Sequence, residues 1–313
     1  MTAKCTRRTL LRAGLGIGSA LAIGDTLAVA APEDSNADRK ESKALTVAAV
    51  QFRSSADLDD NVRRHCDYVR RCADDGARLI VFPECSITGY DDKAVENATP
   101  RDLRKAEAAI GAAAEESGAY VIAGIPTKMG SVTYNSAIVI TPEAKVIERY
   151  HKVQLAGEKW ATPGDHLGVF PIFDTLCSII ICHDERYPEL VRLPVIAGAR
   201  IVMYVSHESG MKEAQKIEPY RAQICARAVE NNVYIVHANA PADKETLAGS
   251  HGQSRIIDPG GHITCEAGIY DEEVVTASLD LKKASGGWAQ QSLGCEFLKG
   301  WWEEGVRKVR VIR

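Results

Sequence analysis

Apolar residues in this chain form two kinds of run, and the two kinds predict different elements. Short continuous runs at 45–52, 78–82 and 176–181 are typical of buried strands. Longer segments at 58–75 and at 102–117, the second of them rich in Ala and Glu, predict helices. The first half of the chain therefore alternates between strands and helices.

The same alternation continues along the rest of the chain. The remaining single elements are strands at 120–125 (expected to end at Pro126), 200–205, 233–237 and 273–280, and helices at 188–197 and 213–230. Turn residues predict two hairpins, at 136–150 and at 254–265. Strands that alternate with helices and hairpins predict an α/β protein with mixed sheets, built as a single domain over residues 44–285.

The two ends of the chain differ from this domain. A basic start that includes Arg7-Arg8 precedes an apolar run at 13–24, which is shorter than the roughly 20 residues needed to span a bilayer. Small residues at 28–30 suit a signal peptidase, and the arginine pair resembles a twin-arginine export signal. We therefore expect residues 1–30 to be a signal peptide and residues 31–43 a flexible lead-in. The mature protein would be periplasmic or extracellular and without a membrane span.

The C-terminal tail, residues 286–313, is rich in tryptophan. It contains Trp288, Trp301 and Trp302. The sequence does not decide whether this segment covers the surface of its own domain or that of a partner subunit.

Charge and cysteine spacing exclude several classes of function. Residues 1–30 carry a net charge of +3, so their removal would shift the formal net charge from −4 to −7. An acidic protein is a poor partner for nucleic acid. The nine cysteines show no C-x-x-C pair, and no group of Cys and His has zinc spacing. Because a chain of this length builds its own core, we expect mostly free thiols and no metal site.

Polar residues follow three of the predicted apolar elements at the point where each one ends. Cys182 comes directly after the strand 176–181, Glu84 after the strand 78–82, and Lys152 after the first hairpin. Ligands of α/β sheets bind at the carboxyl ends of strands. A thiol of pKa about 8.5 also needs a base to attack at neutral pH. Each residue alone is more often structural, since most free cysteines only pack in cores, but together they form a candidate nucleophilic site.

The segments that contain these residues resemble a known family. VFPECSITGY, YHKVQL and IIICHDERYPEL occur in this order and are similar to three motif regions of the nitrilase, or carbon–nitrogen hydrolase, superfamily. The spacings of 68 positions from Glu84 to Lys152 and 30 from Lys152 to Cys182 fit the resemblance, which covers residues 45–285. It implies a four-layer α-β-β-α sandwich, no cofactor, and assembly as a homodimer or larger homo-oligomer.

The resemblance also implies a role for each residue. Cys182 would be the nucleophile, Glu84 the general base, and Lys152 the cation that stabilises the oxyanion, assisted by the backbone N–H of His183. Glu158 matches a second glutamate near the substrate. The implied reaction is hydrolysis of the C–N bond of a small amide or N-carbamoyl compound through a cysteine thioester, which releases ammonia or an amine.

The residues after Cys182 indicate which branch of the superfamily the chain resembles. His183-Asp184 stands where members that hydrolyse nitriles usually carry Trp-Glu, which favours an amidase or carbamoylase over a nitrilase. Arg186 and Glu189 are expected to hold this turn through an ion pair. The side chains proposed for the substrate pocket are Tyr90, Trp160, His183, Ser206, His207 and Glu208.

Two interpretations from other functional classes remain open. One is a cysteine hydrolase of another family that uses a Cys–His pair. The other is a non-enzymatic sensor or binding protein in which Cys182 is a redox thiol. The first predicts that activity depends on a histidine rather than on Glu84 and Lys152, and the second predicts no release of ammonia from any amide.

Overall fold

The computed structural model describes residues 44–312, and their strands form two sheets. Strands are numbered in chain order. The first sheet contains β1 (Leu45–Gln51), β2 (Leu79–Val81), β3 (Tyr120–Met129), β4 (Val132–Ile140), β5 (Val146–His151) and β12 (Glu273–Leu279). The second contains β6 (Leu167–Ile172), β7 (Thr175–Ile181), β8 (Ile201–Ser206), β9 (Tyr234–Asn239), β10 (Arg255–Ile257), β11 (Ile263–Glu266) and β13 (Val309–Val311).

Both sheets mix parallel and antiparallel pairs. The spatial order is β12-β1-β2-β3-β4-β5 in the first sheet and β11-β10-β9-β8-β7-β6-β13 in the second. β1, β2 and β3 run parallel, as do β7, β8 and β9, while the hairpins supply the antiparallel neighbours. The mixed α/β fold predicted from the sequence is thereby confirmed.

Helices cover the outer faces of the two sheets. They are α1 (Leu58–Asp74), α2 (Asp92–Asn97), α3 (Pro100–Ser117), α4 (Glu189–Ile196), α5 (Ile217–Val229), α6 (Gly287–Gln291) and α7 (Lys299–Val306). Among the described residues, no helix combines the length and the apolar character that crossing a membrane requires.

The alternation of side chains along β1 shows how the layers stack. Val47 and Ala49 belong to a core cluster that includes the strands of the second sheet, whereas Ala48 and Val50 pack with α1 and α3 on the opposite face. On the far side of the second sheet, α4 and α5 bury Val191 and other apolar residues in the first cluster. The order is helix, sheet, sheet, helix, which is the sandwich that the family resemblance implied.

Proline explains two differences from the predicted elements. The helix expected at 213–230 begins only at Ile217, so that Pro219, which lacks an N–H, falls within its first turn. The strand expected to end at Pro126 continues to Met129. Because β2 ends opposite Ile122, the later part of β3 has only β4 as a strand partner, and such an edge position tolerates proline.

The C-terminal tail returns to its own domain. β13 pairs in parallel with β6, with Val309 opposite Leu167 and Val311 opposite Val169. Trp302 packs against the core, whereas Trp288 and Trp301 remain exposed. The tail therefore closes one edge of the second sheet, and the edge strand β6 that it covers is an element that the sequence pattern did not predict.

Candidate active site

The three residues that follow strand ends meet between the two sheets. Glu84 lies just beyond β2, Lys152 directly after β5, and Cys182 directly after β7. Lys152 Nζ donates a hydrogen bond to Glu84 Oε1 at 2.8 Å and a second, short one to Glu158 Oε1. All four residues are buried, so one ammonium group is held between two carboxylates beside the thiol.

Other donors fix the two carboxylates in place. Asn135 Nδ2 donates to Glu84 Oε1 at 2.7 Å and to Glu158 Oε1 at 3.3 Å. The second oxygen of Glu84 accepts the backbone N–H of His207 at 2.9 Å, and the second oxygen of Glu158 accepts the N–H of Ala156 at 2.6 Å. Each oxygen of both carboxylates therefore has a donor, as buried charges require.

The backbone at Cys182 forms a sharp turn. Its φ is +45°, in the left-handed region that costs a non-glycine residue of order 1–3 kcal/mol. Cys85, at the corresponding turn after β2, has a φ of +50°. The chain from Cys182 to Arg186 then forms a 3₁₀ turn that leads into α4. The nucleophile candidate thus sits on a strained turn between a strand and a helix.

Asp184, one of the polar residues that follow the strand, has a structural role. Its Oδ2 accepts the N–H of Ile181 at 3.0 Å and the hydroxyl of Tyr150 at 2.7 Å, and its Oδ1 accepts the N–H of Gln154 at 2.8 Å. Tyr150 and Gln154 flank Lys152 in sequence, so this buried carboxylate ties the cysteine elbow to the lysine segment.

A close backbone approach positions Glu84. Gly124, on β3, lies so near the turn after β2 that a Cβ added to it would be 2.2 Å from the carbonyl oxygen of Pro83 and 2.5 Å from the amide nitrogen of Cys85. Only glycine leaves room for this contact. The turn that carries Glu84 is thereby held against the neighbouring strand.

Burial and the neighbouring charges set the protonation of the cluster. Burial raises the pKa of the Cys182 thiol well above its ordinary value, and Glu84 raises it further, against the effect of Lys152. Burial also raises the pKa of Glu84, which the Lys152 ammonium only partly offsets. For Lys152, burial disfavours the charge, but the surrounding anionic groups outweigh it and raise its pKa. At neutral pH the resting site holds a thiol and an ammonium, and the thiol needs a base.

The thiol opens into a cavity of about 320 Å³. Of the residues proposed from the sequence, those that line it are Tyr90, His183, His207 and Glu208. Tyr90 and His207 stack with their ring centroids 4.7 Å apart, and burial lowers the pKa of His207 to about 4, which keeps its ring neutral. A larger hollow, of about 580 Å³ beside α2, is lined by none of the candidate residues.

Two of the proposed pocket residues lie elsewhere. The side chain of Ser206 bonds to His237 Nε2 at 2.7 Å and is not part of the cavity wall. Trp160 does not line the cavity either. The expected ion pair between Arg186 and Glu189 is absent from the described residues; the Arg186 guanidinium lies 5.1 Å from the ring centroid of Tyr220 instead.

Some site residues carry no local sequence signal. Asn135 lies within β4, and Tyr204 lies within the apolar strand β8 with its hydroxyl 3.2 Å from the Cys182 carbonyl oxygen. Glu185 follows the nucleophile by three positions and also lines the cavity. Its distance from Cys182 in the sequence was a signal, because residues three apart lie on the same side of a 3₁₀ turn.

Comparisons with known proteins identify a family and several relatives. Residues 46–286 match the family model described as carbon-nitrogen hydrolase. The chain is 26% identical over 252 residues to omega-amidase NIT2 of Homo sapiens, over 76% of this chain and 89% of that protein. It is also 26% identical over 245 residues to 2-oxoglutaramate amidase of Bacillus subtilis, over 77% of this chain and 92% of that one.

Solved structures share the fold. An amidase from Nesterenkonia sp. superposes with a TM-score of 0.72 at 23% identity, over 83% of this chain and 97% of that chain. Nit3 of Saccharomyces cerevisiae, described as a member of branch 10 of the nitrilase superfamily, superposes with a TM-score of 0.72 at 24% identity, over 81% and 96%.

Proposed function

The chain belongs to the carbon-nitrogen hydrolase family, and on this premise we propose that it is an amidase or carbamoylase whose thioester forms on Cys182. The observation that carries this assignment is the buried cluster of Glu84, Lys152 and Glu158 beside a thiol that opens into a cavity. Its substrates are small linear amides or N-carbamoyl compounds, which a cavity of about 320 Å³ accommodates.

The first half of the reaction forms the thioester. Glu84 accepts the proton of the Cys182 thiol as sulfur attacks the carbonyl carbon, and the carbonyl electron pair moves onto oxygen. The Lys152 ammonium and the backbone N–H of His183 stabilise this oxyanion. When the tetrahedral intermediate collapses, the C–N bond breaks and the proton on Glu84 passes to the leaving nitrogen.

The second half hydrolyses the thioester. Water gives its proton to Glu84 and attacks the acyl carbon, and a second oxyanion forms against Lys152. Collapse breaks the C–S bond, and the proton returns from Glu84 to sulfur. Glu158 holds the Lys152 ammonium in place throughout, because it provides a second fixed acceptor for that group.

Two features favour amides over nitriles. His183-Asp184 replaces the Trp-Glu pair typical of nitrile-hydrolysing members, and Asp184 is fully engaged by Ile181, Tyr150 and Gln154. The curated relatives named above are amidases, one of them named for 2-oxoglutaramate. The competing Cys–His mechanism is less favoured, since the group near Cys182 Sγ is the carbonyl oxygen of His207, at 3.6 Å, rather than a ring nitrogen.

The test combines ammonia release with trapping of the thioester. The protein without residues 1–30 is incubated with a panel of aliphatic amides, N-carbamoyl amines and nitriles, and hydroxylamine is added to capture the acyl group as a hydroxamate. Cys182→Ala should bind substrate without turnover, while Cys265→Ala, which removes a thiol in the second hairpin, should leave the rate unchanged. Turnover by Cys182→Ala, or activity that depends on His207 but not on Glu84, would contradict the assignment.

We also propose that residues 1–30 direct export, which places the enzyme in the periplasm or outside the cell. This segment lies outside the described residues, and the proposal rests on Arg7-Arg8, the apolar run and the small residues at 28–30. Replacement of both arginines by lysine should leave the protein in the cytoplasm, and N-terminal sequencing of the exported form should begin near residue 31.

We further propose, from the family resemblance, that the enzyme assembles as a homodimer or larger homo-oligomer. Light scattering on the purified protein should give a mass of at least twice that of one chain.

A further inference from the structure

The cavity contains a second acidic group that the proposed reaction does not use. Glu185 lies three positions after Cys182 in the 3₁₀ turn, so both side chains project from the same side of it. Glu185 is 1% exposed, it lines the cavity, and its Oε2 atom has no hydrogen-bond partner. Buried carboxyl oxygens are rarely left without a partner, and such an oxygen at the wall of a substrate cavity indicates that a bound ligand supplies one.

A second carboxylate stands close to the first. Glu208, after β8, also lines the cavity and is held by the Tyr204 hydroxyl at 2.8 Å and by His251 Nε2 at 3.0 Å. The Tyr204 hydroxyl is also close enough to Glu185 to affect its protonation. Burial and the neighbouring Glu208 raise the pKa of Glu185, whereas the partners of Glu208 lower its pKa to about 2 despite its burial. The negative charge of the pair at neutral pH therefore lies on Glu208, while the raised pKa of Glu185 favours its protonated form.

The nearby cations do not form an ion pair with the Glu185 carboxyl. Arg227 donates to the backbone carbonyl of Glu185 at 2.8 Å and pairs with Glu230 rather than with the Glu185 carboxyl. Arg186 also lines the cavity, where it is exposed and lies over the Tyr220 ring. Within residues 44–312, Glu185 makes no ion pair. The cavity wall therefore carries Glu185, Glu208 and Arg186, and the Glu185 carboxyl has no paired cation among the described residues.

We infer that Glu185 and Glu208 form a binding subsite for a primary ammonium group on the substrate. The preferred substrate is then a linear amide whose acyl chain ends in an amino group. This inference rests on the proposed function, because the amide must still react at Cys182. An amide whose chain ends in a carboxylate, the class to which the name of the Bacillus subtilis relative refers, would instead face the Glu208 carboxylate and be repelled.

The test compares amides that differ only at the far end of the chain. The series contains 4-aminobutanamide, its uncharged isostere pentanamide, 4-hydroxybutanamide and the anionic monoamide of glutaric acid, each with one shorter and one longer homologue. For the best chain length, the amino compound should exceed its methyl isostere in kcat/KM by about tenfold or more, as expected for a hydrogen bond to a charged group. The anionic compound should be the poorest substrate.

A pair of variants locates the effect. Glu185→Gln should reduce the ratio of kcat/KM for the amino and methyl compounds about tenfold, while Glu218→Gln, which removes an exposed carboxylate on α5, should keep the wild-type ratio. Thermal unfolding of Glu185→Gln checks that this variant folds. If it does not fold, the comparison of substrates with the wild-type enzyme still tests the subsite.

Different results would contradict the ammonium subsite and the amidase assignment. If the wild-type enzyme releases ammonia but prefers the methyl, hydroxyl or anionic compounds, the ammonium subsite is overturned and the amidase assignment remains. If no amide yields ammonia or hydroxamate, both are overturned. An unchanged ratio in a folded Glu185→Gln would also overturn the assignment of the subsite to this residue.

Discussion

The Lys152 ammonium is expected to hold the buried site together as well as to assist catalysis. Lys152→Met keeps the length of the side chain and removes its charge. At 2.8 Å from Glu84 and an effective dielectric constant of about 20, the Coulomb attraction is about 6 kcal/mol, most of which offsets the cost of burying both charges. Loss of one partner leaves Glu84 and Glu158 as uncompensated buried carboxylates, for which the measured cost is about 3–5 kcal/mol.

The assay is denaturant unfolding followed by tryptophan fluorescence, with ammonia release measured in parallel. Lys152→Met should lose about 3–5 kcal/mol of unfolding free energy and at least about a hundredfold in kcat. The double variant Glu84→Gln/Lys152→Met should regain part of the stability but none of the activity, since it removes a buried charge and also the base. Lys145→Met, in an exposed hairpin turn, should change stability by less than about 0.5 kcal/mol.

The pH dependence of the stability loss in Lys152→Met shows whether buried carboxylate charge causes it. Without Lys152, the folded-state pKa of Glu84 rises further above its unfolded value and that of Glu158 is no longer lowered by the ammonium. The stability penalty is therefore largest at high pH and fades as the pH falls toward the unfolded pKa of about 4.3. Lys152→Met should therefore be less destabilised at pH 5 than at pH 8. A penalty that is the same at both pH values, or a double variant no more stable than the single one, would refute the reasoning.

Three other changes test separate parts of the structure. Gly124→Ala should displace the turn that carries Glu84 and lower kcat at least about tenfold, because the new Cβ would meet backbone at 2.2 Å; an unchanged kcat would exclude this contact as a positioning device. Burial lowers the pKa of His65 to about 3, so the unfolding free energy should fall as the pH drops from about 6.5 toward 3. This group should account for about 2 kcal/mol at pH 5, and in denaturant titrations His65→Gln should reduce the dependence of stability on pH. Arg310→Ala removes a partner at 3.1 Å from the buried Glu148 and should speed proteolysis of the tail, with a stability loss of only about 1 kcal/mol because the arginine is half exposed; a tail equally resistant in both proteins would refute this role.

The sequence indicated the three candidate residues because their signals are local. Cys182 and Glu84 each follow a short apolar run, and Lys152 follows a hairpin with clear turn residues. A strand that ends in a polar side chain places that side chain at a sheet edge, whatever the order of the strands. What the pattern could not show was that the edges of two different sheets face each other. This brings Cys182, which follows a strand of the second sheet, beside Glu84 and Lys152, which follow strands of the first.

The supporting groups depend on register rather than on local pattern. Asn135 lies within β4, and only the pairing with β3 and β5 directs its amide toward Glu84 and Glu158. Ser206 fails as a pocket residue for a related reason, since its side chain turns toward His237 on the neighbouring strand. A shift of one residue in either strand would exchange these orientations, and such a shift leaves the sequence pattern unchanged.

The polar residues after Cys182 have roles that depend both on the local sequence pattern and on the three-dimensional fold. A 3₁₀ turn has three residues per turn, so three successive side chains leave it in different directions and the fourth returns to the side of the first. His183, Glu185 and Arg186 line the cavity, and the Arg186 guanidinium lies over the Tyr220 ring. Asp184 points inward to the backbone around Lys152. Polarity was therefore required at each position for a separate reason, and an apolar residue at any one of them would remove a different property of the site. Asp184→Leu should loosen the elbow, whereas Glu185→Leu should alter substrate choice, and this division follows from the turn geometry together with the position of Cys182.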